Sequence, residues 1–464
     1  MKKVRVIGAG LAGSEAAWQL AKRSIEVELI EMRPKISTKA HKTSLCAELV
    51  CSNSFRGAAM SNAVGLLKRE LYTLDSLIME AAYASEVPAG GALAVDRERF
   101  SQYVDNAIKT HPLITYCTEE LIEVPPSSAD EPVIIATGPL TSRTLALAIE
   151  NFLGADSLAF FDAISPILHV ESLDLDKCWR QSRYDKGGDD YLNVAFSEEQ
   201  YYSFIESVLA AEKYTGNEEV ENDSLDKLRP FEGCMPIEDV IERGPETLRF
   251  GAFKPVGLTE PKTGKSPHAV MQLRQDDKAG TLWSMVGMQT RMKRHEQERI
   301  FKTLPGLENA EFLRYGTVHR NTFIDSPKCL NASLECRQQS GLFFAGQVTG
   351  TEGYVESTAG GLVAGINAAR VINGEQAFSF PTHTAIGALL RYISEPGRKE
   401  FQPMNISFGL IESYEGSKDK RQGRKRRSRK ERREAVSEAA LDTISELKTQ
   451  ISSDILLAVE NAGE

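Results

Sequence analysis

Cys51 and Cys234 stand in unusual settings for thiols. Cys51 lies among polar residues in ELVCSNS (Glu48–Ser54), and Cys234 lies on a glycine-flanked turn in FEGCMP (Phe231–Pro236). A free cysteine is most often a small buried hydrophobe. Polar, turn-like neighbours argue instead for nucleophilic or acid–base work, which needs access and nearby positive charge. Ser52–Ser54 is a possible helix-capping stretch, and a helix N-terminus would favour a thiolate at Cys51. Cys117, Cys178, Cys329 and Cys336 read as structural. Weaker candidates are Tyr354 for stacking, Arg274, Arg291, Lys293, Arg294 and Arg320 for phosphates, and His319 for orienting a substrate. Each of these competes with an ordinary core or solvated role.

The elements that must position the thiols begin at the N-terminus. Residues 3–8 predict a buried strand, 13–23 a helix, and 25–31 a second strand ending on Glu31. Between them runs Gly8-Ala9-Gly10-Leu11-Ala12-Gly13, a dinucleotide fingerprint in the strand–turn–helix–strand setting that gives it meaning. Gly8 permits the tight turn, Gly10 admits a pyrophosphate, and Gly13 lets helix and strand pack. The phosphates then face the helix N-terminus, and Glu31 is placed for a ribose hydroxyl. Residues 61–84 predict an amphipathic helix, and another helix begins at Asp96–Phe100. Residues 113–124 predict a strand, and 131–138 a buried strand ending Ala-Thr-Gly. A strand, a glycine turn (Gly346-Gln347) and a helix over 361–370 return the chain to the cofactor fold.

Composition limits the alternatives. The 464 residues suffice for two or three units. Seven cysteines without a CxxC pair argue against a disulfide framework and against a zinc site, so no metal is expected. No apolar run is long enough for a membrane span, and no signal peptide precedes the first strand. A cytoplasmic protein is expected. The net charge is −10, and the acidic excess lies in the first 410 residues. General nucleic-acid affinity is therefore not expected; RNA binding would need a local basic patch. Lys418–Arg433 holds eleven basic residues, followed by an apolar stripe at Val436, Ala440, Ile444, Leu447 and Ile451. This tail reads as a solvated, partly disordered appendage with a loosely packed or self-associating helix; an RNA-grasping arm is the sharper alternative.

The Ala-Thr-Gly ending and the second glycine segment resemble flavoproteins of the glutathione reductase class. The expected fold is α/β: a Rossmann-like FAD-binding domain of that type, an inserted α/β substrate domain and a basic helical tail. The expected boundaries are 1–164 for the first part of the FAD domain and 165–310 for the inserted substrate or RNA domain. The second part of the FAD domain follows at 311–411, and the tail at 412–464. Gln347 replaces the usual aspartate, and no second dinucleotide fingerprint is present, so a nicotinamide would dock transiently.

The chain more closely resembles the folate- and flavin-dependent tRNA (uracil-5-)-methyltransferases. The resemblance rests on GAGLAGSEAA (Gly8–Ala17), AELVCSNS (Ala47–Ser54), VPAGGALAVDR (Val87–Arg97), SRYDKG (Ser182–Gly187) and FEGCMPI (Phe231–Ile237). It continues through QLRQDD (Gln272–Asp277), Tyr315-Gly316, HRNTFI (His319–Ile324), GYVES (Gly353–Ser357) and FQPMN (Phe401–Asn405). It implies FAD held at Gly8–Gly13, Glu31, Gly346, Gln347 and Tyr354, with 5,10-methylenetetrahydrofolate as donor and NADH or NADPH as reductant. The T-loop of tRNA is the implied partner, with no obligate protein partner and no membrane. In this chemistry a thiolate adds to uracil C6, C5 attacks a one-carbon unit carried by FAD, and a base removes the C5 proton. Cys234 is assigned to C6 and Cys51 to proton removal and protection of the flavin adduct; the reverse division stays open.

Two departures stand out. The tail is not expected in the family pattern, and KTSLC (Lys42–Cys46) places an extra thiol near Cys51. The competing readings are the same chemistry on ribosomal RNA, the wobble-uridine carboxymethylaminomethyl enzyme, a plain NAD(P)H–flavin oxidoreductase and a non-catalytic RNA-binding protein.

Overall fold

The computed structural model describes residues 2–38, 40–154, 158–186, 188–214, 235–397, 401–412 and 428–461. The first strand, Lys3–Ile7, lies at the centre of a five-stranded parallel sheet. Its Val4 and Val6 side chains are completely buried, as expected of a strand covered on both faces. The sheet order is Leu342–Phe344, Val133–Ile135, Lys3–Ile7, Glu26–Glu31 and Ile114–Thr118, with Val6 paired to both Leu29 and Ile134. Parallel neighbours need a crossover, and helix Leu11–Ala21 supplies the first.

The helix expected over 361–370 is longer, running from Tyr354 to Ile372. Val355, Ser357 and Thr358 are weak helix formers, which hid its first turns. Here the glycines are needed for packing. A Cβ on Gly361 would lie 2.1 Å from the Ala12 carbonyl oxygen, so this helix and Leu11–Ala21 touch backbone to backbone. The helix expected over 61–84 is two helices, Ala63–Thr73 and Leu77–Ala84. Asp75 takes a left-handed conformation between them (φ 60°), and the Ser76 hydroxyl caps the second by accepting from Met79 N–H.

An antiparallel ribbon, Leu158–Ile164 with Thr317–Phe323, links this fold to a second sheet. That sheet has six strands in the order Trp179–Arg180, Tyr191–Phe196, Ala269–Gln275, Leu282–Met285, Ile167–His169 and Phe312–Arg314. It has its own core, where Phe196 stacks on Phe253 beneath Trp283 and Met285. A third sheet of three short strands, Ser54–Gly57, Ala92–Val95 and Glu86–Val87, lies beside the Cys51 loop.

The tail differs from expectation. Helix Arg429–Asn461 docks on helix Ala63–Thr73, with Ser437, Ala440 and Ile444 completely buried. Ser437 donates to the Met60 carbonyl, Lys448 pairs with Asp75, and His383 bonds Thr443. Its apolar stripe therefore completes the core of the first domain and is not a loose appendage. The basic run up to Arg427 lies outside the described residues. Among the described residues, no helix is long and apolar enough to cross a membrane.

Candidate active site

The cofactor cradle is made mostly of backbone. Gly8 ends the first strand at φ +97°, where a Cβ would lie 2.7 Å from the Ala136 carbonyl oxygen. A Cβ on Gly13 would lie 1.8 Å from the Gly8 oxygen, whereas one on Gly10 would meet nothing within 4 Å. Two glycines are thus fixed by packing, and the third borders open space. Helix Leu11–Ala21 starts there without a side-chain cap, so its first N–H groups are available to a pyrophosphate. Gly346 (φ +80°) brings the second glycine segment against Ala12. Gln347 donates to Glu352 at 2.7 Å, which braces the turn leading to Tyr354.

Glu31 lines a cleft with Gly8, Met32, Thr137 and Leu145. It accepts from Ala9 N–H at 2.8 Å and from Arg33 Nε at 2.9 Å. Burial pushes its pKa up, but the Arg33 hydrogen bond and charge, joined by Ala9 N–H, bring it below the usual carboxylate range. Arg33 is itself buried and was not singled out from the sequence, where its only signal is its place two residues after Glu31. These residues fit a dinucleotide: a tight turn, an open glycine, an uncapped helix and a carboxylate beside a cleft.

Cys51 lies where the two large units meet. No helix starts at Ser52–Ser54; strand Ser54–Gly57 does, so the capping explanation for a reactive thiol fails. Positive charge comes from arginines instead. Arg97 donates to the Leu49 carbonyl at 2.7 Å and the Cys51 carbonyl at 3.1 Å, and pairs with Asp276 at 2.8 Å. Arg274 donates to Asn53 Oδ1 and Ser52 Oγ, each at 3.1 Å. Asn53 crosses the junction, donating to the carbonyls of Val95 and Gln275. The Tyr354 hydroxyl accepts from the N–H groups of Cys51 (2.9 Å) and Ser52 (3.0 Å). Its ring lies beside Phe55, with centroids 5.7 Å apart. Burial, followed by the neighbouring Cys51, raises the Tyr354 pKa, so the hydroxyl stays protonated.

Cys51 is half-buried in this cationic surround, the kind of setting in which cysteines react. Cys46, five residues earlier, is completely buried, and burial with Asp105 beside it pushes its thiol pKa up. It is therefore inert, and labelling in this stretch reports on Cys51. Cys234 lies outside the described residues, as do the side chains of His319 and Arg320. The structure brings Arg274 to the Cys51 loop and engages three of the other basic candidates with different partners. Arg291 pairs with Asp239, Lys293 with Glu212, and Arg294 sits over the Tyr315 ring. Arg97, Asp276 and Arg56, which pairs with the buried Glu356, were not singled out. Arg97 and Asp276 lie inside the quoted motif stretches, which is the one signal that marks them.

Comparison with known proteins agrees with this architecture. The family model for glucose inhibited division protein A matches residues 3–376. Relatives described as "Methylenetetrahydrofolate--tRNA-(uracil-5-)-methyltransferase TrmFO" include one from Symbiobacterium thermophilum, 54% identical over 95% of this chain and 96% of its own. One from Listeria welshimeri is 52% identical over 97% of this chain and all of its own, and one from Lactobacillus gasseri 52% over 98% and all of its own. A match of 450 residues out of 464 reaches into the tail helix, so the tail lies within the matched region, contrary to expectation. Aquifex aeolicus GidA has a similar fold, with a TM-score of 0.68 at 17% identity over 99% of this chain and 76% of that one. Matched over most of its length by the family model, and about half identical to relatives along nearly their whole length, the chain belongs to the glucose inhibited division protein A family and, within it, to the TrmFO group of tRNA (uracil-5-)-methyltransferases.

Proposed function

We propose that this chain methylates C5 of a T-loop uridine in tRNA, using 5,10-methylenetetrahydrofolate and FAD, with NADH or NADPH as reductant. The observation that carries the reading is the placement of Cys51. It sits on a loop held by Tyr354, at the end of the cofactor cradle, and by Arg97 and Arg274, which tie it to the inserted sheet. The names of relatives about half identical over nearly the whole chain support the same reading.

Gly8–Gly13, Glu31 and Gly346 would hold FAD, which when bound would supply reducing electrons and a carrier for the one-carbon unit. The remaining work falls to this chain's side chains. A target uridine must leave its stack before a thiol can reach the ring, so the junction must admit a single base. Cys51 and Cys234 form the thiol pair, one adding to C6 and the other taking the C5 proton. Arg97 and Tyr354 fix the loop that carries Cys51, so its sulfur is oriented before the substrate arrives. The unit built on the six-stranded sheet serves as the RNA domain and, because its last strand is Phe312–Arg314, runs past the boundary expected at 310; 1–164 and the chain beyond that strand, to 411, serve as the FAD domain. The cytoplasm is the assigned compartment.

The test is transfer of label from methylenetetrahydrofolate to unmodified tRNA with FAD and NADPH. Wild type should form labelled 5-methyluridine, and Cys51→Ala and Cys234→Ala should each abolish it. Reduction of flavin without any label in tRNA would overturn the assignment.

A further inference from the structure

Docking of the tail helix explains its apolar stripe but not the charges at its start, in a chain whose net charge is −10. The helix begins at a defined point. The Ser428 hydroxyl accepts from Glu431 N–H at 3.2 Å, and the Glu431 carboxylate accepts from Ser428 N–H at 2.6 Å, which is a capping box. Arg429, Lys430, Arg432 and Arg433 therefore fill the first turns, with Glu431 the one acid among them. The helix dipole disfavours cations at this end. Arg429, Lys430 and Arg432 are exposed. The Lys430 side chain is 73% exposed, and its pair with Glu434 spans 3.8 Å at the surface, where such pairs contribute little. Local stability does not account for four cations here, so a partner is the physical reason for them.

Two lines of contact connect these turns to the Cys51 loop. The first follows the chain. Arg433 donates to the Ser61 carbonyl at 3.3 Å, and Ser437 donates to the Met60 carbonyl at 2.9 Å. Met60 follows Cys51 by nine residues that include strand Ser54–Gly57. Even fully extended, that stretch spans at most about 32 Å. The second line crosses the fold. The Arg433 guanidinium lies 5.1 Å from the centre of the Phe408 ring. Two residues before Phe408, Ile406 N–H donates to Glu356 at 2.9 Å, and Glu356 also pairs with Arg56. Glu356 lies two residues after Tyr354, whose hydroxyl accepts from Cys51 N–H. Arg429 stands one helical turn before Arg433 on the same face, past the edge of the buried stripe.

We propose that Arg429, Lys430 and Arg432, on a helix start held in place by Arg433, form a docking surface for the phosphate backbone of the tRNA substrate. The inference rests on the proposed tRNA methylation, in which the stem carrying the target loop must lie against the protein near Cys51. Charge complementarity selects the partner. RNA presents a line of phosphates, and cations that neutralise them gain affinity by releasing counterions. Such contacts position a substrate without reading its sequence. An anionic membrane would also take up the apolar face of a basic helix, and a second copy of this chain would pack on it. Here that face is already closed, with Ser437, Ala440 and Ile444 completely buried in the first core. Only the cations remain for a partner.

The experiment compares FAD-loaded wild type with a triple variant carrying Arg429→Gln, Lys430→Gln and Arg432→Gln. It measures Kd for unmodified tRNA across a salt series, single-turnover methyl transfer at saturating tRNA, and thermal stability. At about 0.15 M salt the Kd should rise about tenfold, and the salt slope should become shallower by about 2. The saturated rate should stay within about twofold of wild type, because the surface touches no reacting atom. Stability should hold or rise, since glutamine suits a helix and the dipole no longer opposes three cations. Replacing Arg429 and Arg432 by lysine keeps the charge and should keep most of the affinity. Arg432→Gln alone should weaken binding about threefold. Lys448→Gln, about 24 Å further along the same helix, should leave Kd and slope unchanged. A Kd and slope equal to wild type in the triple variant would overturn the inference, even if that variant lost binding to phosphatidylserine vesicles. An equal loss in Lys448→Gln, or in the lysine pair, would overturn it too. If the triple variant does not fold, Arg432→Gln against Lys448→Gln decides. Wild type that binds tRNA through these cations but makes no 5-methyluridine counts against the proposed function and leaves the docking surface standing.

Discussion

The cofactor cradle and the Cys51 loop are held in different ways. The cradle depends on backbone: Gly8 and Gly13 leave no room for a Cβ, and Gly346 lies against Ala12. The Cys51 loop depends on side chains that come from far along the chain. Arg97 is 46 residues from Cys51, Arg274 is 222 from Ser52, and Tyr354 is 303 from Cys51. Local glycine geometry fits a dinucleotide of the kind common to many flavoproteins. Long-range polar contacts place a thiol against the inserted unit, which makes this loop dependent on the assembly of both.

The largest expected effect comes from the cradle. Gly13→Val places a side chain whose first carbon would lie 1.8 Å from the Gly8 oxygen, so helix and strand must separate. The variant should purify without FAD absorbance, and added FAD should not restore it. Full FAD occupancy would show that the cradle tolerates backbone movement and would remove the contrast with the Cys51 loop.

The contrast also explains what could be seen in the sequence. The fingerprint is local: three glycines, two flanking strands and Glu31 fall within 31 residues, so spacing alone marks the cradle. Cys51 was visible by its polar neighbours, but the source of its positive charge was not. Ser52–Ser54 has the composition of a cap, yet Asn53 bridges Val95 and Gln275 and the segment enters a strand. No pattern within one segment shows that Arg97 meets Asp276 across 179 residues. Long-range packing also overrode the tail's reading, because its stripe at Ala440 and Ile444 closes the first core.

The second prediction acts on the junction. Arg97→Met leaves Asp276, whose side chain is 3% exposed, without its cation and frees the Leu49 and Cys51 carbonyls. Breaking such a pair costs about 3–5 kcal/mol, less whatever water recovers on the more exposed arginine side. FAD should remain bound while denaturant stability and methyl transfer both fall. Adding Asp276→Asn should return part of the stability but not the activity, because the loop stays unheld. Purely additive losses in the two variants would show that the pair does not couple the two units.

The smallest effect is expected at Tyr354, and it isolates loop geometry from folding. Tyr354→Phe keeps the ring beside Phe55 and removes the acceptor shared by the Cys51 and Ser52 N–H groups. Those groups are only partly buried and water can reach them, so the stability cost should be near the low end, about 1 kcal/mol. Cys51 supplies the readout. Iodoacetamide should alkylate Cys51 at a rate that changes in Tyr354→Phe, with peptide mass mapping to assign the site. Cys46 serves as the internal control: it is completely buried, and its thiol is held protonated by burial and Asp105, so it should stay unmodified in both proteins. A Cys51 rate unchanged by the substitution would mean that Arg97 and Arg274 alone set the loop, and that the cofactor half contributes only the cofactor. Labelling of Cys46 in the variant would mean that loosening one hydroxyl opens the fold behind the loop. The cradle and the loop would then be one cooperative unit, not two differently built parts.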